Sequence, residues 1–171
     1  MTKLIIICGL PGVGKTTLAN EISRELGIFC LHKDTIKESI YNSMKMSTLE
    51  DSKKLGYPSV KAILDLAEEN IINGVDVILE SPFSFPEDGK IFDNWKNKYK
   101  LDIFTIVLQL DEVERENRYR TRERHASHHD NERQLSQVDE CTYVHMPETK
   151  IFLNTNKPLE ILVQEALARI S

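Results

Sequence analysis

Hydrophobic and polar positions along this chain follow two alternating patterns. Short, nearly unbroken apolar runs occur at residues 4 to 8, near 28 to 31, at Val75 to Leu79, at Ile103 to Leu110 and at Lys150 to Leu153. Their β-branched or continuous apolar character predicts five strands buried on both faces. Between them, apolar residues recur at helical spacing. One helix is predicted from Lys15 to Leu26, stopped by Gly27, and another from Asp34. A third spans about Tyr57 to Asn73, with Val60, Ile63, Leu64, Ala67, Ile71 and Ile72 as its apolar stripe and Asn73-Gly74 as its stop. The last begins near Pro158 and carries Leu159, Leu162, Val163, Ala166, Leu167 and Ile170 on one side. Strands alternating with helices predict βαβ units, hence a three-layer α/β fold with a parallel sheet and helices on both faces.

Composition adds limits to this picture. The 171 residues suit a single domain over 1–171. No apolar run approaches the ~20 residues of a membrane span, and Met1-Thr2-Lys3 leads straight into the first strand, so neither membrane nor signal peptide is expected. Cys8, Cys30 and Cys141 show no C-x-x-C spacing, which makes a reduced, cytoplasmic protein the expectation. The formal charge of −5 repels nucleic acid and anionic membrane and argues against both as partners. Arginine is unevenly placed: none lies between Arg24 and Arg115, and then five appear by Arg124.

One motif carries specific chemistry. Gly9-Leu10-Pro11-Gly12-Val13-Gly14-Lys15-Thr16 matches G-x-x-x-x-G-K-[ST] and directly follows the first apolar run. The glycines let the loop curl its N–H groups around phosphate oxygens, and the helix that starts here adds the positive end of its dipole. Gly9, Pro11, Gly12, Val13, Gly14, Lys15, Thr16 and Thr17 are therefore read as nucleotide-binding. Lys15 reaches the β and γ phosphates, and the Thr16 hydroxyl faces Mg²⁺.

Ligands of open parallel sheets gather beyond the carboxyl ends of the strands, so the residues there are the other candidates. Asp34, after the second strand, is placed to orient an acceptor hydroxyl and take its proton; the plainer reading is a helix N-cap. Lys37 is one turn further on, near phosphate or simply solvated. Glu80, after the third strand, is a candidate to hold water on Mg²⁺ or face the acceptor, against a solvated strand end. Ser81 to Pro86 line an acceptor pocket or form an inert turn. Arg115, Arg118 and Arg122 fall on one helical face at i, i+3 and i+7, a lid over about 112–135 in which Arg118 and Arg122 meet the transferring phosphate. The alternative is an exposed helix laced with Glu114, Glu116 and Glu123. His125 and His129 have metal-compatible spacing, yet Ala126 to Arg133 lacks an apolar frame, so a solvated loop is expected. Asn154-Thr155-Asn156 borders the nucleotide base or makes a polar turn.

Taken together, the loop, Asp34, Arg118, Arg122 and the ending Ile151-Phe152-Leu153-Asn154-Thr155 resemble the small P-loop kinases of the adenylate-kinase-like fold. Gluconate kinase, chloramphenicol phosphotransferase, polynucleotide 5′-hydroxyl kinase domains and AAA-type predicted kinases are of this kind. The resemblance implies strand order 2-3-1-4-5, ATP with Mg²⁺, Asp34 as acceptor-side base, and lid arginines on the phosphates. Two departures bear on the acceptor. Polynucleotide kinases pair the aspartate with an arginine three residues later, where this chain has Lys37, a point charge without a bidentate fork. The arginines with which nucleoside monophosphate kinases clamp an acceptor phosphate are missing after the second strand, although Lys45, Lys53, Lys54 and Lys61 leave room for an anion.

The expectation is an ATP-dependent kinase acting on a hydroxyl of a small-molecule acceptor. The alternatives are a nucleotide, nucleoside or polynucleotide kinase and, from another class, a nucleotide-dependent binding switch. Oligomeric state is open, and the acceptor depends on segments 42 to 58 and 81 to 95, whose shape the pattern does not define.

Overall fold

The computed structural model describes residues 1–130, 143–147 and 149–170. In chain order it runs β1 (Lys3–Gly9), α1 (Lys15–Leu26), β2 (Cys30–His32), α2 (Lys33–Ser43), α3 (Leu49–Lys54), α4 (Gly56–Ile72), β3 (Val77–Glu80), α5 (Pro86–Tyr99), β4 (Asp102–Gln109), α6 (Glu112–Thr121), a 3-10 turn (Ala126–His128), β5 (Lys150–Asn154) and α7 (Leu159–Ile170). The strands form one sheet in the order β2-β3-β1-β4-β5. Every neighbouring pair is parallel. Both the α/β class and the 2-3-1-4-5 order match the expectation.

Strand β1 shows why the sheet must be covered twice. Leu4, Ile6 and Cys8 face a core under α4 and α5, with Leu31, Leu79, Ile63, Ala67, Phe92 and Trp95. Ile5 and Ile7 face a second core under α1 and α7, with Ile78, Ile106, Leu18, Ile22, Leu162 and Ala166. All five residues from Leu4 to Cys8 are completely buried. At ~1.5–3 kcal/mol for each fully buried large aliphatic side chain, neither face tolerates exposure. The central strand is thereby held, and the loop that leaves its carboxyl end starts from a fixed point.

Several boundaries differ from the sequence expectation. Strand β3 begins at Val77, because Val75 and Ile72 are exposed, and Ile72 leaves the apolar stripe of α4. The segment 42 to 58 contains α3, begun by a capping box: Thr48 Oγ1 accepts from the Asp51 N–H at 3.1 Å and Asp51 accepts from the Thr48 N–H at 3.2 Å. Most of 81 to 95 belongs to α5. No helix among the described residues is long and apolar enough to cross a membrane.

Helix α5 meets residues 143–147 with almost no clearance. A Cβ built on Gly89 would lie 1.7 Å from the carbonyl oxygen of His145. Phe83, Phe92, Tyr143 and Met146 pack in the same core. Gly89→Ala should therefore destabilise by about 1–3 kcal/mol through overpacking, although alanine is the better helix former. That corresponds to a fall of roughly 3–10 °C in Tm. A melting curve unchanged or raised would reject the contact.

Candidate active site

The loop between β1 and α1 keeps its glycines for steric reasons. Gly9, Gly12 and Gly14 have φ of 141°, 94° and 91°. A Cβ on Gly9 would stand 2.7 Å from Leu108 O, and one on Gly12 would stand 2.8 Å from Arg115 O. The loop is thus pressed against the end of β4 and the start of α6. Arg115 completes the seat from beneath: it is buried, and Nη1 donates to Pro11 O at 3.3 Å. Gly14 is the N-cap of α1, whose first turn has no acidic side chain, so its N–H groups and dipole are open to an anion. Lys15 folds back over the loop and donates to Leu10 O at 3.1 Å. Burial pushes its ammonium below its ordinary pKa, opposed by Glu80 and Asp34.

Glu80 is the last residue of β3 and is buried. The registers set it level with Ile7 of β1 and His32 of β2. Its Oε2 lies 3.0 Å from His32 Nδ1 and 3.4 Å from the Thr16 hydroxyl, which donates to it. A solvated strand end is excluded by that burial. The Thr16 hydroxyl and the Glu80 carboxylate are hard oxygen donors on adjacent elements, the donor type that suits Mg²⁺ beside phosphate.

Asp34 is not the N-cap of α2. His32 occupies that position without a side-chain cap bond, and Asp34 sits in the first turn, where the dipole favours its charge. Lys33 Nζ donates to Oδ1 at 3.0 Å, and an Arg124 Nη2 bond engages Oδ2. Burial alone would raise the pKa of this carboxyl. Lys33, Arg124 and His128 outweigh that and hold it well below the usual carboxylate range. Lys37, one turn on, is almost fully buried and donates to Ser52 Oγ at 2.8 Å, so the solvated reading is wrong for it.

The arginine stretch does not act as one helical face. Helix α6 ends at Thr121, with Arg122 as its extended C-cap residue. Arg118 turns to the β5 end, donating to Thr155 O at 3.3 and 3.4 Å and to Glu114 at 3.0 Å. Arg122 lies over the Tyr119 ring, 4.5 Å from its centroid. Its Nε and Nη2 are buried without a hydrogen-bond partner among the described residues. Nη2 is 3.5 Å from Asp130 Oδ2, near enough for attraction but not aligned for a hydrogen bond, and that oxygen is also unsatisfied. Burial and the neighbouring Arg124 lower the pKa of Arg122.

Residues 126 to 130 are not a solvated loop. His128 is buried, with Nε2 2.7 Å from Glu38 Oε1 and 3.0 Å from Arg124 Nη2. His129 Nε2 is 2.9 Å from the Tyr41 hydroxyl, and His125 Nδ1 accepts from the Ser127 N–H. The histidines thus fasten the segment to α2. Among the described residues no group of three or more His, Cys, Asp or Glu side chains is placed to hold a metal ion. The remainder of the expected lid, from residue 131, lies outside the described residues, as does Cys141.

These elements enclose a cavity of about 320 Å³ beyond the carboxyl ends of β1, β2 and β3. Pro11, Gly12, Gly14, Lys15, Thr16 and Thr17 line one wall, and Lys33, Asp34, Lys37, Ser81, Pro82 and His128 contribute to the rest. Glu80, Tyr119, Arg122, Arg124 and Asp130 complete it. Five cations, Lys15, Lys33, Lys37, Arg122 and Arg124, face three carboxylates, Asp34, Glu80 and Asp130. Arg118 and Asn154 are outside this lining. Asn154 is exposed, and its side chain accepts from the Asn156 N–H at 3.0 Å in a local turn. Gly9 and Val13 support the loop from behind, Val13 within the second core. Arg124 was not singled out from the sequence, because nothing local to it announces Asp34 as its partner.

The sequence pattern of the AAA domain family matches residues 4–147. The chain belongs to that family. No curated protein matches it at a significant level. Among solved structures, this AAA domain is similar to a candidate kinase from Chloroflexus aurantiacus at 20% identity and TM-score 0.80, covering 99% of each chain. It is also similar to a sugar kinase from Janibacter at 20% identity and TM-score 0.65, covering 99% of this chain and 95% of that one. The adenylyl sulfate (APS) kinase of Mycobacterium tuberculosis, in complex with AMPPNP and APS, aligns at 16% identity and TM-score 0.59, covering 99% and 97%. At these identities the likeness is one of fold, and the fold is that of small P-loop kinases.

Two outcomes follow for this AAA domain. ATP at about 100 times its Kd should stabilise it by about 2.7 kcal/mol, raising Tm by roughly 5–10 °C. Lys15→Ala should abolish most of that rise, and an equal rise in both proteins would put the nucleotide elsewhere. The second concerns pH. The folded-state pKa of Asp34 is depressed, so its ion pairs contribute stability above the unfolded value of about 3.9 and lose it as pH falls toward the folded value. Urea midpoints should therefore fall more steeply below about pH 4 in the parent than in Asp34→Asn. Parallel profiles would show that the carboxylate is not held by its neighbours.

Proposed function

We propose that this chain is an ATP-dependent kinase that transfers the γ-phosphate to a hydroxyl of a small-molecule acceptor. The supporting observation is that one cavity joins a phosphate-binding loop, a carboxylate across from it, and a guanidinium with unsatisfied buried nitrogens. Phosphoryl transfer asks a protein chiefly for positioning and charge neutralisation, and these groups supply both. The excess of cations in a chain of net charge −5 suits a polyanionic donor.

In this reading the loop N–H groups from Gly12 to Thr17 and Lys15 hold the β and γ phosphates. Arg122 meets the charge that develops on the transferring group. Arg118, beside Thr155, and Asn154 border the base end of the nucleotide. Thr16 and Glu80 would hold Mg²⁺, which when bound neutralises phosphate charge. Asp34 orients the acceptor hydroxyl and receives its proton as the acceptor oxygen bonds to the γ-phosphorus. The bond from that phosphorus to the β–γ bridging oxygen breaks, and ADP leaves. On the acceptor side, Lys37, held by Ser52, and Ser81 line the cavity with polar groups suited to a hydroxylated small molecule. Cys8 and Cys30 are buried, a placement compatible with a reducing cytoplasm.

The test offers γ-labelled ATP and Mg²⁺ with separate pools of sugars, nucleosides and aminoglycoside-like compounds. Label should pass to a product in one pool. Slow hydrolysis without a labelled product in any pool would favour the nucleotide-dependent switch. With the acceptor in hand, Asp34→Asn should lower kcat by about 10²–10⁴ while nucleotide still binds. Full turnover by that variant would remove Asp34 from the reaction.

A further inference from the structure

Asp34 is the acceptor-side base in the kinase reading above, yet both of its oxygens are engaged. Lys33 Nζ takes Oδ1 and Arg124 takes Oδ2. Lys33 is the adjacent residue and moves with α2, whereas Arg124 reaches across from a segment 90 residues away. A carboxylate covered by a guanidinium is a poor proton acceptor, and the planar group lies where an incoming hydroxyl must approach. The arrangement therefore resists the reaction it is placed to perform.

Arg124 has a second destination within the same cavity. It lines the space shared by Lys15, Thr16 and Arg122, so residues 122 and 124 both reach the same cavity. A fork-shaped guanidinium binds phosphate as readily as carboxylate. Its present contacts are also of a kind that can be exchanged. Nε2 of His128 lies close to both Arg124 and Glu38, but one ring nitrogen either accepts from the arginine or donates to the carboxylate. When Arg124 leaves, the contact with Glu38 is retained and the conflict disappears. Asp130 Oδ1, 3.6 Å from Arg124 Nη1, keeps its 2.7 Å bond from the Tyr119 hydroxyl.

We propose that Arg124 is a latch with two positions, one on Asp34 and the other on the γ-phosphate of a bound nucleoside triphosphate. Departure uncovers Asp34 and adds a charge to the transferring group in one movement. The acceptor consequently binds productively only after the nucleotide. This inference rests on the kinase reading for the role of Asp34, but the exchange of partners is a property of binding and is measurable without an acceptor.

The test is a double-mutant cycle read by calorimetric titration of the full chain with AMPPNP and, separately, ADP, each with Mg²⁺. Asp34→Asn releases the latch in advance, so AMPPNP should bind about 5-fold more tightly than to the parent, a coupling typical of contacting charged groups. Arg124→Gln should weaken AMPPNP about 10-fold and change ADP less than about 2-fold, since only the γ-phosphate is met. In the double variant the gain from Asp34→Asn should vanish. A gain that survives without Arg124 would reduce the effect to removal of a negative charge, and no gain at all, or equal loss of ADP, would overturn the latch. Arg124→Lys, which keeps charge without the fork, should retain part of the coupling; complete loss of ADP affinity in it would overturn a γ-specific role. Absence of any phosphorylated acceptor would sink the kinase reading and leave this cycle unaffected.

Discussion

A charge removed from water must find an opposite charge or a set of hydrogen bonds, and five cations around one small cavity make that requirement hard to satisfy. Asp34 serves Lys33 and Arg124, Glu80 lies near Lys15 and accepts from Thr16, and Asp130 draws on Tyr119, Arg122 and Arg124. The supply runs short at Arg122, where two buried nitrogens have no acceptor among the described residues. Within a folded protein such a deficit costs on the order of 1–3 kcal/mol for each unsatisfied group. An anion would supply the missing acceptors, which under the proposed function is the part a phosphate plays. In that function, stability and binding are opposed at this one residue.

The sheet can carry that burden because its own stability is independent of it. Two apolar cores, one on each face of β1, fix the strand ends without using a cavity residue apart from the loop that leaves β1. The region from α6 to residue 130 is held differently. Arg115 to Pro11, Arg118 to Thr155, His128 to Glu38 and His129 to Tyr41 are polar contacts, part-buried and individually replaceable. Segments secured this way open at lower free energy than a packed core, which is the property a lid requires.

The sequence was most legible where structure is decided locally. The five strands, their order through the resemblance, and the loop from Gly9 to Thr17 follow from apolar runs and glycine sterics within short stretches. Thr48-x-x-Asp51 is a readable capping box inside the segment 42 to 58, whose shape the apolar pattern leaves undefined, so α3 has a local signal of a different kind. Asp34 as N-cap is a fair inference from residue type, but β2 continues to His32, which is itself the N-cap, and the helix starts at Lys33, which moves Asp34 inward. Burial of Lys37, His128 and Glu80 was out of reach, because it depends on α3, residues 124–130 and β2 closing on them from far along the chain.

Arginine placement shows the same limit in its sharpest form. A face at i, i+3 and i+7 assumes that the helix continues, and α6 stops at Thr121. Up to that point helical geometry governs: Arg115 goes beneath the loop and Arg118 toward Thr155. Beyond it the chain leaves helical geometry, with Arg122 itself extended, so the spacing of 3.6 no longer decides where the side chains go. Residue 124 then replaces residue 118 as the companion of Arg122 in the cavity. The end of one helix thus divides a run of similar residues into braces, Arg115 under the loop after β1 and Arg118 at the end of β5, and cavity-lining groups, Arg122 and Arg124, with no change in their chemistry.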